Sequence, residues 1–571
     1  MPKLAINHSI KKIKHLLNLA VKIENLLIYL PVVVFCFLFL IYVLIDNTPP
    51  HWDAGRHLSN FTTYYENLKY GITLTGVKPN ALTDGIHNFF QFYGYYPPLV
   101  YWLAIPVTAL LSLSYQVVLL NNLFWIILFF LSSVFYLRAN NISKPTIAII
   151  TMFLVSSPFV IGNFRELQLD MPLVAIVVFI MYRLELYTQN QSTKNLILVS
   201  LGVGAGLMVK WTFVIISPLL IVIWSVSYFV KKGLNLNSLG RFFNLAFVSG
   251  VFTLAFCLSW YSANLTRLAL DLGQNGNRQG ITEGDPQGIT KASFDYYLKG
   301  ILTEHILTPW LFIFGLFVGL AIYYFIKKYR KARESTEFTK FNLSLLLSGL
   351  VFFVIFYLYC MNQGNKDLRY IVVFYFCYIA IFGAVIDFAW QHISSNILKK
   401  VLLGVIIAVS SLNLIYMSVS TKLPVFTTQI AGYPLYLARQ NGYTNMNLSK
   451  RDWAVNKLIL RAYDIRNDYK FSGNSCLLDR YWVKSPTIAV DFDSQPTHSN
   501  YGSIWGLATT NEMVISDDKP KSCYIAYSRL GLNKEQMSAI VELDPTYTSF
   551  TIDSYFTDWQ DQNMLLLKKV N

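Results

Sequence analysis

Charged side chains are scarce in this sequence. Asp, Glu, Lys and Arg make up 14% of its 571 residues, against about 25% in soluble domains, and that shortage alone excludes a wholly soluble protein. Cysteine is sparse as well: there are six, none at zinc-site spacing. Four of them, Cys36, Cys257, Cys360 and Cys377, stand inside apolar stretches, where a thiol behaves as a small buried hydrophobe. No internal repeat is visible, which counts against the repeat-built transporters. The basic stretch 1–24 runs into apolar residues without a small-residue cleavage signal, so it reads as an uncleaved anchor.

What is abundant is apolar: 54% of the residues are hydrophobic and 16% aromatic. Runs close to the roughly 20 residues that carry a helix across a bilayer recur at 26–45, 117–137, 146–162, 171–187, 196–209, 211–230, 243–263, 306–326, 341–361, 370–389 and 401–419, which makes eleven. The stretch 99–113 is shorter, contains Pro106 and opens with Tyr101 and Trp102, so it suits the membrane interface better than a crossing. With that stretch on the outer surface, the N-terminus, Arg138, Lys144, Lys194, Lys231, Lys232, the basic run 327–333, Lys399 and Lys400 are all cytoplasmic. The net charge of +15 is then largely a matter of topology. If 99–113 crossed, every later loop would flip and the run 327–333 would have to be translocated.

The predicted architecture is an all-α polytopic membrane domain of about 11 transmembrane helices over 1–420, with outer loops 46–98 and 264–305, and a C-terminal soluble α/β domain over 421–571 on the outer side. The loop 264–305 holds Gly273, Gly276, Gly280, Gly284, Gly288 and Asp285-Pro286, a composition that predicts a mobile connector. In the tail, 452–466 and 533–543 read as helices and 521–527, 547–555 and 563–569 as strands. Cys476 and Cys523 are expected to pair in an oxidising compartment.

Polar residues that are costly beside a membrane gather in the outer regions. Just past the first span stand His51-Trp52-Asp53-Ala54-Gly55-Arg56-His57. A carboxylate among aromatics is suited to take a proton from an attacking hydroxyl, which makes Asp53 the general-base candidate. Arg165 and Asp170 precede Pro172 at the start of the fourth span. Helix capping would account for Asp170, while Arg165 needs an anionic partner, protein or ligand. Lys210 separates two apolar runs and must lie at an outer turn, where its ammonium either snorkels to water or binds phosphate. Lys366-Asp367-Leu368-Arg369-Tyr370 repeats that feature on a later loop, where Arg369 either grips phosphate or pairs with Asp367. Outer-face cations beside a possible base point to a lipid phosphate as substrate, without choosing between enzyme and transporter.

The order of these motifs, together with Pro97-Pro98-Leu99-Val100-Tyr101-Trp102, Gly206 to Lys210 and Trp260-Tyr261, resembles the C-type membrane glycosyltransferases, and within them the protein O-mannosyltransferase and aminoarabinose transferase group, glycosyltransferase family 39. The likeness covers roughly 26–420. It implies a membrane glycosyltransferase, in the plasma or inner membrane, that moves a sugar from a polyprenyl-phosphate carrier to an extracytoplasmic acceptor (protein, lipid or glycan) with inversion. By position it implies Asp53 as the catalytic aspartate, and Arg56, His57, Arg165, Asp170, Lys210, Lys366, Arg369 and Tyr370 as substrate-binding residues. The chain departs from the group's pattern at Ala54, where a second acid is common, and at Tyr96, where a Lys commonly precedes the two prolines. His57 or His87 is the candidate to supply the lost phosphate contact.

The expected partners are the carrier-linked sugar, its acceptor and membrane lipids, and no nucleic acid. No compact His/Asp/Glu ligand set is visible, so no cofactor is required and a divalent metal remains open. The alternatives are a lipid-linked sugar flippase and a non-catalytic assembly subunit.

Overall fold

The computed structural model describes residues 25–46, 53–73, 80–111, 114–233, 236–332, 342–419, 425–430, 433–438, 477–479, 522–530, 535, 550–557 and 562–569. They separate into two compact units, one made of 1–41, 122–165 and 169–447 and the other of 42–121, 166–168 and 448–571.

The first unit is a helical bundle. Its apolar runs fold as α1 (Asn25–Ile45), which the chain follows with α2 to α5 of the second unit, and then α6 (Asn122–Ala139), α7 (Lys144–Val155), α8 (Pro158–Phe164), α9 (Asp170–Asn190), α10 (Thr193–Val209), α11 (Phe213–Lys232), α12 (Leu236–Glu283), α13 (Lys291–Gly300), α14 (Thr308–Ala332), α15 (Leu343–Asn362), α16 (Phe374–His392) and α17 (Asn396–Val419). Local sequence starts several of them. Ser192, Thr290 and Asn342 accept hydrogen bonds from Asn195, Ser293 and Leu345 as N-caps of α10, α13 and α15. Pro158 opens α8 after Ser157, and the bend of 60° from α7 falls at that break.

Among the described residues eight helical stretches are long and apolar enough to cross a membrane, nine if α7 and α8 form one bent span. Asp170–Asn190 and Leu368–His392 are 72% and 83% buried, so they form the middle of the bundle, whereas Leu239–Leu270 is 17% buried and presents its apolar side outward. The centre is aromatic: Trp125, Phe129, Trp310 and Tyr375 are all fully enclosed.

Helix ends meet in two separate sets. At one end Asn342 donates to the Asn140 carbonyl at 2.8 Å, the Ser143 N–H to Asp387 at 2.9 Å and Lys231 to Glu185 at 2.8 Å. At the other, Lys210 meets Asp170 at 2.8 Å, and Tyr296 donates to the Lys366 carbonyl at 3.1 Å. These are the groupings that the positive-inside reading assigns to two opposite faces. Arg138, at the end of α6, lies 5.5 Å from the ring of Tyr29, at the start of α1, and Phe35 packs edge-on against Phe130. The two helices therefore run antiparallel.

The expected loop 264–305 is not a loop. Its first part continues α12 to Glu283, its last part is α13 followed by a π-turn, Ile301–His305, and the irregular stretch is confined to 284–290. Each interior glycine disfavours a helix by about 1 kcal/mol, but tertiary contact overrides that preference here. Gly280 is buried, and a Cβ on it would run into the carbonyl oxygen of Gly364. The missing side chain is what lets the two backbones touch.

In the second unit lie α2 (Asp53–Thr73), α3 (Ala81–Gln91), α4 (Leu99–Leu110) and the short α5 (Tyr115–Leu119). At about 1.5 Å per residue α4 spans about 18 Å, short of the roughly 30 Å hydrocarbon layer. Its twelve residues include Pro106.

Past α17, β1 (Val425–Ile430) and β2 (Tyr433–Ala438) pair antiparallel within the first unit. A four-stranded sheet in the second unit has the order β3-β4-β6-β5. It comprises β3 (Leu477–Asp479), β4 (Ser522–Leu530), β5 (Phe550–Thr557) and β6 (Gln562–Lys569), with β3 parallel to β4 and the other pairs antiparallel. The strands read at 521–527, 547–555 and 563–569 overlap the last three. The helix expected at 452–466, that expected at 533–543 apart from the helical Glu535, and the Cys476 half of the expected disulfide lie outside the described residues.

Candidate functional site

Lys210 and Asp170 form a buried ion pair. The ammonium lies 2.8 Å from Asp170 Oδ1, with the lysine side chain 11% exposed and the aspartate 3%. Local chain geometry aims both groups. Lys210 is the extended residue that ends α10, and its N–H still donates to Gly206 at 3.1 Å. Gly206 has no Cβ to obstruct the Phe213 ring, so α11 can start immediately after the turn. Asp170 opens α9 but makes no side-chain cap, the alternative to its substrate-binding assignment: its carboxylate turns to Lys210 instead. An ammonium carries three donors. Among the described residues Asp170 is the acceptor it meets, which leaves two donor directions for an anion.

Arg165 ends α8 and is 3% exposed. Its guanidinium reaches the carbonyls of Met417 and Ser418, each at 3.4 Å, in the last turn of α17. The negative end of that helix supplies part of the anionic environment Arg165 requires. A small recess with room for about one water adjoins it, walled by Phe35, Phe39, Ile161 and Leu414.

Lys366, Arg369 and Tyr370 share one loop, but the two cations are engaged differently. The Lys366 ammonium, buried, donates to the carbonyls of Met361, at 3.0 Å, and Gln363, where it closes the C-terminus of α15. Its backbone N–H donates to Asp285 at 2.7 Å, and Gln287 donates to the Gly364 carbonyl at 2.8 Å, so the loop is strapped to the segment after α12. Burial pushes the Lys366 ammonium down from its usual pKa despite the opposing pull of Asp285. The sequence reading gave Lys366 to substrate; in this geometry it holds the loop. Arg369 pairs with Asp367 at 2.5 Å, the alternative that competed with phosphate binding, and Asp367 also accepts the Arg369 N–H at 2.8 Å to start a 3-10 turn, Leu368–Val373, that contains Tyr370. The Arg369 side chain is 22% exposed.

In the second unit Asp53 stands in the first turn of α2, where the helix dipole favours a carboxylate. Arg56 and His57 follow on the same helix; the side chain of Arg56 lies outside the described residues. His57 is 2% exposed, with its ring centroid 4.9 Å from Tyr96 and 6.0 Å from Tyr101. His87 is an exposed residue of α3.

Sequence reading missed Asp285, Tyr101 and Asn60, and also His305. That imidazole is fully enclosed, stacked on Tyr375 at 5.0 Å and tilted against Phe159 at 4.5 Å, and burial lowers its pKa to about 3. Tyr101 stands in the Pro97–Trp102 motif and Asp285 in the glycine-rich stretch, but their contacts, like those of Asn60 and His305, depend on partners far along the chain. Among the described residues no three His, Cys, Asp or Glu side chains come together as metal ligands.

Residues 96–260 match the family described as dolichyl-phosphate-mannose-protein mannosyltransferase. No curated protein matches the sequence significantly. Two crystal structures of ArnT from Cupriavidus metallidurans are similar in fold. The apo form has a TM-score of 0.54 at 12% identity, and the form bound to undecaprenyl phosphate 0.51 at 11%, each covering 94% of this chain and 97% of the other. The chain thus matches the mannosyltransferase family model over 96–260 and, over most of its length, shares the fold of ArnT.

Proposed function

We propose that this protein is an integral-membrane glycosyltransferase that takes a sugar from a polyprenyl-phosphate carrier and places it, with inversion, on an acceptor hydroxyl outside the cytoplasm. The observation that carries the reading is the buried Lys210–Asp170 pair, which falls inside the family-matched stretch 96–260 and leaves ammonium donors for an anion. An undecaprenyl phosphate complex of a protein with this fold supports a lipid phosphate as that anion.

The chemistry is a single displacement. The acceptor oxygen attacks the anomeric carbon, Asp53 takes its proton, and the bond from that carbon to the phosphate oxygen breaks with its electron pair leaving on the carrier. Phosphate departs readily, so the larger task is to meet its developing charge with preplaced cations. Lys210 and Arg369 are assigned that task, with Arg165, Asp170, Arg56 and Tyr370 shaping the donor site, and a divalent metal is an optional supplement. Ion pairing at the ends of α9, Asp170 with Lys210 and Glu185 with Lys231, favours surface chemistry over mid-span transport.

In topology, α10, α11 and the bent α7–α8 pair join the eight long stretches to give eleven crossings, with α4 along the outer interface. Asp53 and the tail 421–571 then lie outside the cytoplasm.

The test is a proteoliposome assay with a panel of radiolabelled polyprenyl-phosphate sugars and crude envelope acceptors. The expected result is label moving from one carrier to an acceptor with its anomeric configuration inverted. Label crossing the bilayer still on its carrier, or no consumption of any carrier, would contradict the reading.

A further inference from the structure

Up to Thr188 the residues of α9 that are not buried are Phe179, Tyr182, Arg183 and Leu186. Counted from Phe179 they fall at three, four and seven residues, so this helix at the middle of the bundle opens to the outside along one narrow stripe. Arg183 stands in that stripe seven residues before the end of α9, about 10 Å inside it at about 1.5 Å per residue. Its guanidinium lies over two rings, 4.7 Å from Tyr182 and 5.2 Å from Phe179. Among the described residues it meets no carboxylate and no hydrogen-bond acceptor, and its Nε is buried without a partner. Glu185, two residues on, gives both carboxylate oxygens to Lys231, at 2.9 and 2.8 Å.

A second open stripe borders the first. Phe179 comes within 3.5 Å of the place that a Cβ on Gly202 would take, and α10 is open at Lys194, Leu198 and Leu201, again on one face. The two helices run antiparallel, with Asp170 against Lys210 at one end and Asn195 donating to Asn190 at 3.0 Å at the other. That register sets Leu198 level with Arg183 and Lys194 about one turn nearer the helix ends. On the far side of the α9 stripe stands α6, whose Phe135 ring is 5.7 Å from that of Tyr182. These residues form an apolar furrow with one cation in its floor, a second at its rim and no acid among them. A charge at this depth in a bilayer keeps a counter-ion, from protein or from lipid. None of the described residues supplies one, aromatic faces meet only part of the need, and the planar fork of a guanidinium matches two oxygens of a phosphate. We propose that the furrow between α6, α9 and α10 binds an anionic phospholipid, its phosphate gripped by Arg183 and steadied by Lys194, its chains lying along Phe179, Leu198 and Leu201. In the topology given above this is the cytoplasmic leaflet, whose anionic lipids attract basic segments. The furrow lies toward the ends of α9 and α10 opposite to Asp170 and Lys210, so it is separate from the site assigned to the carrier phosphate. Binding here needs a bundle that spans the bilayer, not sugar transfer, so failure of one reading leaves the other standing.

In the experiment the full chain, purified in a neutral detergent, is titrated with phosphatidylglycerol, with phosphatidylcholine of the same chains and with undecaprenyl phosphate, and the lipid it holds is counted by native mass spectrometry. Wild type holds phosphatidylglycerol in preference to phosphatidylcholine. Arg183→Met keeps the unbranched stem, removes the charge and weakens phosphatidylglycerol binding about tenfold or more. Arg183→Lys, which keeps the charge without the fork, and Lys194→Gln each weaken it a few-fold. Undecaprenyl phosphate binding in Arg183→Met stays as in wild type, since its phosphate is assigned to Lys210. In lipid-free detergent Arg183→Met unfolds at the wild-type temperature, because no protein partner loses a bond, and a clear drop would show the guanidinium to be bonded within the protein and overturn the proposal. Equal phosphatidylglycerol binding in wild type and Arg183→Met would overturn it as well. So would a loss of undecaprenyl phosphate in its stead, which makes the carrier the occupant, or a dimer that comes apart in Arg183→Met, which makes the occupant a second copy of the chain.

Discussion

Lys210 and Asp170 stand 40 residues apart in sequence and 2.8 Å apart in space, paired where α10 ends and α9 begins. Removing one member of a buried pair leaves the other charge without its partner and costs about 3–5 kcal/mol, whereas replacing both with apolar residues is often close to neutral. Lys210→Met is therefore expected to lower the unfolding midpoint clearly, and Lys210→Met/Asp170→Leu to recover much of it. Undecaprenyl phosphate binding should stay weak in both. Binding that returned along with stability in the double variant would mean that the ammonium serves the fold alone.

Lys366 and Arg369 should behave differently despite their common charge. Lys366→Ala strips a donor from two carbonyls at the end of α15, at about 1–3 kcal/mol for each buried group left unpaired. Arg369→Ala breaks a partly exposed pair and should change stability by less than about 1 kcal/mol while weakening carrier binding. Thermal unfolding and carrier binding measured on both variants decide this, and a reversed order would return Lys366 to the phosphate site.

Acid should destabilise the protein through His305. Its folded-state pKa is lowered to about 3, below its ordinary value of 6.5, so between those limits the unfolded chain binds more protons than the folded one. Stability contributed by the neutral, enclosed imidazole is intact above about pH 6.5 and falls by about 1.4 kcal/mol per pH unit below it. His305→Phe should remove that slope from a plot of unfolding midpoint against pH, and an unchanged slope would assign it elsewhere.

Much of this architecture is legible in the sequence because a bilayer imposes its own length on a helix, and runs such as 171–187 and 370–389 are too uniformly apolar for a helix with one face in water. Asp170 and Lys210 both stand out in the sequence, but not as partners, since their pairing exists only once α9 and α10 fold back on each other. The stretch 264–283 misleads for the converse reason: its glycines argue locally for a loop, and the contact of Gly280 with Gly364 that makes them useful in a helix is long-range. Lys366 reads as a substrate contact by charge alone, whereas helix-end carbonyls from its own loop claim the ammonium.

Sidedness follows from loop charge and is open to labelling. With the native cysteines replaced, a cysteine at Ser335, beside the basic run after α14, should resist a membrane-impermeant thiol reagent in intact cells, and one at Ser472 should react. The opposite pattern would put the tail 421–571 on the cytoplasmic side.

The most direct measurement of the central claim is sugar transfer by Asp53→Asn beside its affinity for the carrier. The amide keeps the size of the carboxylate but cannot accept the acceptor's proton, a role typically worth roughly 10²- to 10⁴-fold in rate. Transfer should fall by that order while undecaprenyl phosphate binding stays within a few-fold of wild type. Near-normal turnover in Asp53→Asn would contradict the assignment of Asp53 as the catalytic base.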